Sequence, residues 1–277
     1  MVDLEGATNQ YWGGCLDSAG NVIFCPHNAV QVMKINPEND TITYYGLNDI
    51  STNAYYKVGE DLIPCSVQAS GGAIAANGNI YFSCRLTNNN AVKLQFYAYT
   101  DSINETVGFI DISAFNFGGG DAEGIVTGMN DRYVYPVLYE MGPYGNNRVI
   151  KRIDTNTNQV ETFAMPTGLS ASYSSYSGGV LAPDGKIYWF SHASRPTILA
   201  LDSIYPTYTI DTTYNNSSNT YAIPNPQASE LKMYGGILGC DGKIYTCPYR
   251  CEKIQVIEPS APIGLNGWMI SPYYNKT

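Results

Sequence analysis

Hydrophobic and polar residues alternate with a period of two over short runs, each closed by a turn of Gly, Asn, Asp or Pro. "YSGGVLAPDGKIYWF", residues 176 to 190, reads as two such runs joined by an Asp-Gly turn, and "YGGILGCDGKIYTCP", from Tyr234, nearly repeats it. Alternation of this kind predicts half-buried β-strands, and Asp-Gly between two of them predicts a tight hairpin. No stretch sustains a 3.6-residue apolar period, so no helix is expected.

The hairpin recurs at intervals of roughly fifty to sixty residues, a period that belongs to repeat architectures. With the first Gly of each pair as origin, the copies begin at Gly13, Gly71, Gly178 and Gly235, and Glu123 of "AEGIVTG" takes the slot in a degenerate third copy. Seven residues on stand Gly20, Gly78, Asn130, Gly185 and Gly242, residues that accept the positive φ of a hairpin turn. Ten on stand Ile23, Tyr81, Tyr133, Tyr188 and Tyr245, and thirteen on stand Pro26, Cys84, Pro136, Ser191 and Pro248. A third run follows ("AVQVMKIN", "AVKLQFYAY", "RVIKRID", "TILALD", "KIQVIE"), and then a fourth ("TITYYG", "TVGFIDI", "VETFAMP", "YTIDT", "GWMISPYY"). Four antiparallel strands per copy make a propeller blade, with the Gly-Gly strand innermost, where little room exists for side chains. The expected fold is all-β, a β-propeller of five four-stranded antiparallel blades. It forms one domain over residues 1–277, with blades at about 11–58, 59–116, 117–168, 169–226 and 227–277. No strand is set aside to exchange between the ends, so closure rests on blade packing or on the first ten residues.

The turn in "RIDTNTNQVETF", together with "GGVLAPDGKIY", resembles the repeat of YVTN/NHL-type β-propellers, and the resemblance extends over residues 11–275. It implies the fold, while function varies within that superfamily among scaffolds, binding modules and hydrolases.

Composition narrows the partners. The formal charge is −9 and the sequence pI about 4.6. A phosphate backbone is repelled and no basic cluster offsets the sign, so nucleic acid is not an expected partner. No apolar run reaches the ~18 residues of a membrane span, and "MVDLEGATNQ" has neither the basic nor the apolar region of a signal peptide. Only 14% of residues are charged, while Tyr occurs 24 times, in a background of Asn, Thr, Ser and Gly.

Candidate chemistry gathers where the second and third strands connect, the propeller face whose loops commonly bind ligands. Fourteen residues from each origin stand His27, Arg85, Val137, His192 and Tyr249, so the only two histidines of the chain fall on equivalent places. His27, Arg85, His192 and Tyr249 are the candidate ligand-binding set, although polar residues are common at turns. The connections 47–70 and 164–177 are long and rich in Tyr, Ser and Asn, suited to contact with sugars or proteins, or simply to covering the ring.

Glu123 and Asp121 form a second candidate. The lactonase-like propellers hold a divalent cation in the channel, and a carboxylate in an axial slot is what that resemblance calls for. Ca²⁺ wants six to eight oxygen ligands, and the other four origins are Gly, so further ligands have to come from elsewhere. Asn36, Asp154, Asp202 and Glu258 close the third strands and are read as turn initiators. No nucleophile elbow or phosphate-binding glycine loop is present.

Seven cysteines cluster in copies one, two and five. Cys15 with Cys25, Cys65 with Cys84 and Cys247 with Cys251 are local bridge candidates, leaving Cys240; small buried thiols are the other reading. Asn-x-Ser/Thr at Asn39, Asn104, Asn215, Asn216 and Asn275 identifies no compartment. The expectation is a non-enzymatic recognition or assembly module of an extracellular, cell-surface or virion exterior. Its partner is a glycan, a protein surface or further copies of itself, with no membrane insertion and no cofactor. The alternative is a metal-dependent lactonase-like hydrolase, for which alone Ca²⁺ is required.

Overall fold

The computed structural model describes residues 11–46, 55–58, 61–64, 66–87, 93–110, 122–138, 149–164, 176–191, 198–203, 210–211, 232–249, 254 and 256–259, less Asn28, Val30 and Asn130. Among them no helix occurs. Blade 1 comprises β1 (Tyr11–Leu16), β2 (Val22–Pro26), β3 (Val32–Asn36) and β4 (Thr41–Tyr45). A separate hairpin, β5 (Tyr55–Val58) and β6 (Asp61–Pro64), follows. Blade 2 comprises β7 (Ser66–Ile74), β8 (Ile80–Thr87), β9 (Lys93–Asp101) and β10 (Thr106–Ile110), and blade 3 comprises β11 (Ala122–Thr127), β12 (Tyr133–Leu138), β13 (Val149–Asp154) and β14 (Gln159–Ala164). Blade 4 comprises β15 (Tyr176–Leu181), β16 (Lys186–Ser191), β17 (Ile198–Asp202) and β18 (Ile210–Asp211), and blade 5 holds β19 (Lys232–Leu238), β20 (Ile244–Tyr249) and β21 (Val256–Ile257). Each blade is an antiparallel meander with strands in chain order, so the chain is a five-bladed β-propeller. The expected fourth strand of blade 5, "GWMISPYY", lies outside the described residues. The connection 47–70, expected as a loop, contains β5 and β6, and β7 begins within it.

Every inner strand bulges at its glycine. The register slips between Tyr11 and Gly14, Ser70 and Ala73, Ala122 and Ile125, Ser177 and Gly179, and Met233 and Gly236. Gly13, Gly71, Gly124, Gly178 and Gly235 all adopt positive φ there. They also meet backbone to backbone. A Cβ on Gly13 would stand 3.0 Å from Gly71 Cα, one on Gly71 2.9 Å from Gly124 Cα, and one on Gly178 2.6 Å from Gly235 Cα. Gly13, Gly71 and Gly178 thus need glycine both for conformation and for space, whereas Gly124 and Gly235, where a Cβ would come no nearer than 3.9 Å to a neighbour, need it for conformation.

This corrects the frame of the third copy. Gly124, at φ +103°, holds the hub place expected of Glu123, and Asp131, at φ +52°, holds the turn place expected of Asn130. The closing pair Thr127–Val134 spans one residue more than Leu16–Val22, so the second strand shifts again. Tyr135, opposite Val126, is the counterpart of Tyr188, opposite Val180; Leu138 rather than Pro136 matches Pro26. The sequence frame counted from a Gly-Gly pair, whereas the backbone demands only one glycine, at the bulge.

Apolar residues gather between blades. Ile23, Cys25, Val32 and Tyr45 pack against Ile80, Phe82 and Ala98 of blade 2. Ala73, Tyr81 and Ile110 meet Ile125, Val134 and Ile153 of blade 3. Tyr135, Val137 and Ile150 meet Ile187, Trp189 and Leu199 of blade 4, and Tyr188, Phe190 and Ile198 meet Met233, Ile244 and Ile257 of blade 5. Fully burying side chains of this size contributes about 1.5–3 kcal/mol each, so these joints carry most of the stability.

Among the described residues no such cluster joins blade 5 to blade 1. Ile237 is 65% exposed, whereas Ala73, Val126 and Val180 at its place are at most 9% exposed. Leu16, on the opposing face of blade 1, is 46% exposed. Trp12 and Tyr234 do meet across this joint, with rings stacked at 6.5 Å and 13°.

The bridge candidates at Cys15–Cys25 and Cys247–Cys251 are not formed: Cys15, Cys25, Cys240 and Cys247 are free thiols. Cys15 lies opposite Ile23, which puts Cys25 at a diagonal place, farther than a disulfide spans. Both sulfurs pack on Gly72 instead, and the Cys25 thiol donates to the Gly71 carbonyl at 3.1 Å. Burial, aided by Asp17, pushes the Cys15 thiol up to about 12. The side chains of Cys65, Cys84 and Cys251 lie outside the described residues.

Candidate functional site

The face where second strands end is built by strand pairing. Tyr11 opposite Pro26 brings the start of β1 beside His27, Gln68 opposite Arg85 does the same in blade 2, and Lys232 opposite Tyr249 in blade 5. The backbones of Arg85 and Tyr249 therefore lie at the same end of their blades as His27. The side chains of Arg85 and Tyr249 and the whole of His192 lie outside the described residues. Val137 is fully buried between blades 3 and 4, and the corrected register moves it out of this set.

His27 is half-buried and stands edge-on to Trp12, with ring centroids 4.8 Å apart at 64°. Trp12, 43% exposed, in turn stacks on Tyr234. An exposed indole held by a second aromatic and a histidine offers an apolar face with polar edges, the kind of surface that recognition sites use. Sequence reasoning missed Trp12 and Tyr234. The signal was their common place, immediately before the hub glycine in blades 1 and 5, hidden because neighbouring copies carry unrelated residues there.

Glu123 lies on β11, one place before Gly124. Its side chain and Asp121 lie outside the described residues. Among the described residues, no group of three or more His, Cys, Asp or Glu stands together as a metal site.

The opposite face is a set of polar braces. Asp184 Oδ1 accepts from the Lys186 amide at 3.1 Å and Asp241 Oδ1 from the Lys243 amide at 3.1 Å, with Tyr188 and Tyr245 bonded to the second carboxylate oxygens. Asn77 fills this role in blade 2, donating to the Tyr81 hydroxyl at 3.1 Å and to the Thr155 carbonyl of blade 3 at 2.8 Å. Asn36 and Asp154 cap their turns by accepting from the Glu38 and Asn156 amides, as expected of turn initiators. Asp154 also receives Arg132 at 2.6 Å, which holds its carboxyl below the usual range. These groups are committed to structure.

No family model and no curated protein matches this chain. Solved structures do. Virginiamycin B lyase from Staphylococcus aureus aligns over 95% of this chain and 88% of its own, at 14% identity and a TM-score of 0.47. The PQQ-bound aldose sugar dehydrogenase from Streptomyces coelicolor aligns over 92% of this chain and 79% of its own, at 12% identity and a TM-score of 0.54. The extracellular domain of the hybrid two-component system BT4673 from B. thetaiotaomicron aligns over 92% of this chain, which spans 28% of that one, at 8% identity and a TM-score of 0.57. At these identities the likeness is one of fold, and the fold that this chain shares is the β-propeller.

Proposed function

We propose that this chain is a non-enzymatic recognition module of an extracellular, cell-surface or virion exterior, a β-propeller of YVTN/NHL type that reads glycans through the face carrying His27, Arg85, His192 and Tyr249. The observation that supports this most is the exposed Trp12 ring, braced edge-on by His27 and stacked on Tyr234. His27 on the same blade and Tyr234 on blade 5 orient that aromatic group before any ligand arrives, which lowers the ordering cost of binding. Low surface charge and loops rich in Tyr, Ser and Asn suit the same role. Enzymes of similar fold, such as the lyase and the sugar dehydrogenase, bring no activity with them, because function resides in sites rather than folds.

The test is alanine at His27, Arg85, His192 and Tyr249 together. Retention on immobilised glycans is expected to vanish while the melting temperature is kept. Undiminished retention by the folded variant removes this face from the account.

A further inference from the structure

The turns between third and fourth strands follow one design in blades 1, 2 and 3. Asn36, Asp101 and Asp154 open them by accepting from the amide two residues on, at 2.9, 2.9 and 3.0 Å. Asp40, Glu105 and Asn158 stand four residues later at φ +57°, +55° and +56°. The turn does not dictate its fourth and sixth residues, since blade 3 makes it with Thr157 and Gln159. In blades 1 and 2 those two places hold Asn39 with Thr41 and Asn104 with Thr106, so two Asn-x-Thr triplets stand at matching points of neighbouring blades. All six residues of the two triplets are exposed. Asn39 Oδ1 accepts from the Thr41 hydroxyl at 2.6 Å and from the Thr41 amide at 3.1 Å, which leaves its Nδ2 without a partner among the described residues. Asn104 Nδ2 donates to Asp101 Oδ2 at 2.6 Å, a bond that the one remaining hydrogen of a substituted amide can still make.

We propose that Asn39 and Asn104 are N-glycosylation sites. Asn-x-Thr in a surface turn is the acceptor that N-linked glycosylation requires. The amide Nδ2 bonds to the anomeric carbon of a sugar carried on a lipid pyrophosphate, the bond from that carbon to the pyrophosphate breaks, and one amide proton is released. The inference rests on the exterior reading of this chain, because chains on their way out of the cell meet that donor. The placement suits a recognition module. The pairs Val22–Ile35 and Ile80–Thr100 set both turns at the end of the blade opposite His27, so the two glycans leave the Trp12 face open. Ile103, beside Asn104, is 72% exposed, and a glycan on that asparagine covers it. On a surface with few charges, two glycans also supply hydration.

The test is secretion of the full chain behind a cleavable leader from cultured human cells. Treatment with peptide N-glycosidase in ¹⁸O-labelled water then marks each asparagine that carried a glycan, and peptide mass spectrometry reads the label. Label is expected at positions 39 and 104. Asn39→Gln and Asn104→Gln are each expected to remove one glycosidase-sensitive step in electrophoretic mobility, and Thr41→Ala and Thr106→Ala to do the same with the asparagine in place. Should a chain not be secreted, translation into microsomes reads the same steps. Absence of label at either position, or mobility that these variants leave unchanged, would overturn the proposal. A chain labelled at both sites but silent towards immobilised glycans keeps these sites and loses the recognition role. One that binds glycans and carries no label keeps the recognition role and loses these sites.

Discussion

The Tyr188 hydroxyl donates to Asp184 Oδ2 at 2.7 Å, four residues back across a hairpin turn, and Tyr245 repeats the bond to Asp241 at 2.8 Å. The repeated phrase Asp-Gly-Lys-Ile-Tyr thus encodes a closed unit: the glycine turns the chain, the carboxylate caps the turn, and the tyrosine returns to hold the carboxylate. The two copies differ in setting. The Asp184–Tyr188 pair is buried between blades, whereas Asp241 and Tyr245 face the uncovered side of blade 5.

Removing the hydroxyl should cost more in the buried copy. Tyr188→Phe leaves an Asp184 carboxylate short of a partner and is expected to lower stability by about 1–3 kcal/mol, the cost of leaving a buried polar group unsatisfied. Tyr245→Phe should cost less, because water replaces the lost donor. Urea unfolding of the two variants compares them directly; equal losses would show that the brace acts the same way regardless of burial.

The hub glycines should not tolerate a methyl group. Gly20 at φ +84° has open space around it, so Gly20→Ala meets only the left-handed penalty, about 1–2 kcal/mol. Gly178→Ala adds a Cβ at 2.6 Å from Gly235 Cα and is expected to lose distinctly more. Thermal melts of the pair separate conformational strain from the packing of the axis.

Stability should rise with pH above neutrality because of Lys151. This residue is 3% exposed on β13, and burial pushes its amine down to about 7. Between pH 7 and about 10 the unfolded chain holds a proton there that the folded chain does not, so raising the pH favours folding. The contribution is complete above the unfolded value and is lost as pH falls towards 7. Lys151→Met should flatten this slope, as read from unfolding midpoints at pH 7, 8.5 and 10.

The joint between blades 5 and 1 should be the weakest of the ring. Val180→Asp puts a charge into the packed joint between blades 4 and 5 and is expected to be severe, in the class of buried unpaired charges at about 3 kcal/mol or more. Ile237→Asp, at the equivalent place but 65% exposed, is expected to be nearly neutral. The thiol of Cys247, exposed where Cys25 and Phe190 are fully buried, should react in the native protein while Cys25 does not. Protection of Cys247 together with a destabilising Ile237→Asp would mean that the joint closes in solution.

The hairpins were legible in the sequence because a turn with positive φ leaves a mark: Gly20, Gly78, Gly185 and Gly242 all stand where the backbone needs them. The third blade was misframed for the same reason. Asp131 satisfies that φ without being glycine, and Gly124 satisfies the hub without a second glycine beside it. Once Glu123 was aligned with glycines, its likeness in place to Trp12 and Tyr234 could not be seen. The uncovered joint was equally hidden, since Ile237 and Val180 are alike as residues and differ only in whether a neighbour packs on them. Of the four residues chosen for the loop face, His27 has a described environment, and the aromatic contact that gives it meaning comes from Trp12, which the count by fourteens passes over.

Screening the purified protein on a broad glycan array beside Trp12→Ala, with matched melting temperatures, tests the recognition reading most directly. The account predicts specific signals from the native chain that Trp12→Ala loses. A silent array, or signals that survive the loss of Trp12, would contradict it.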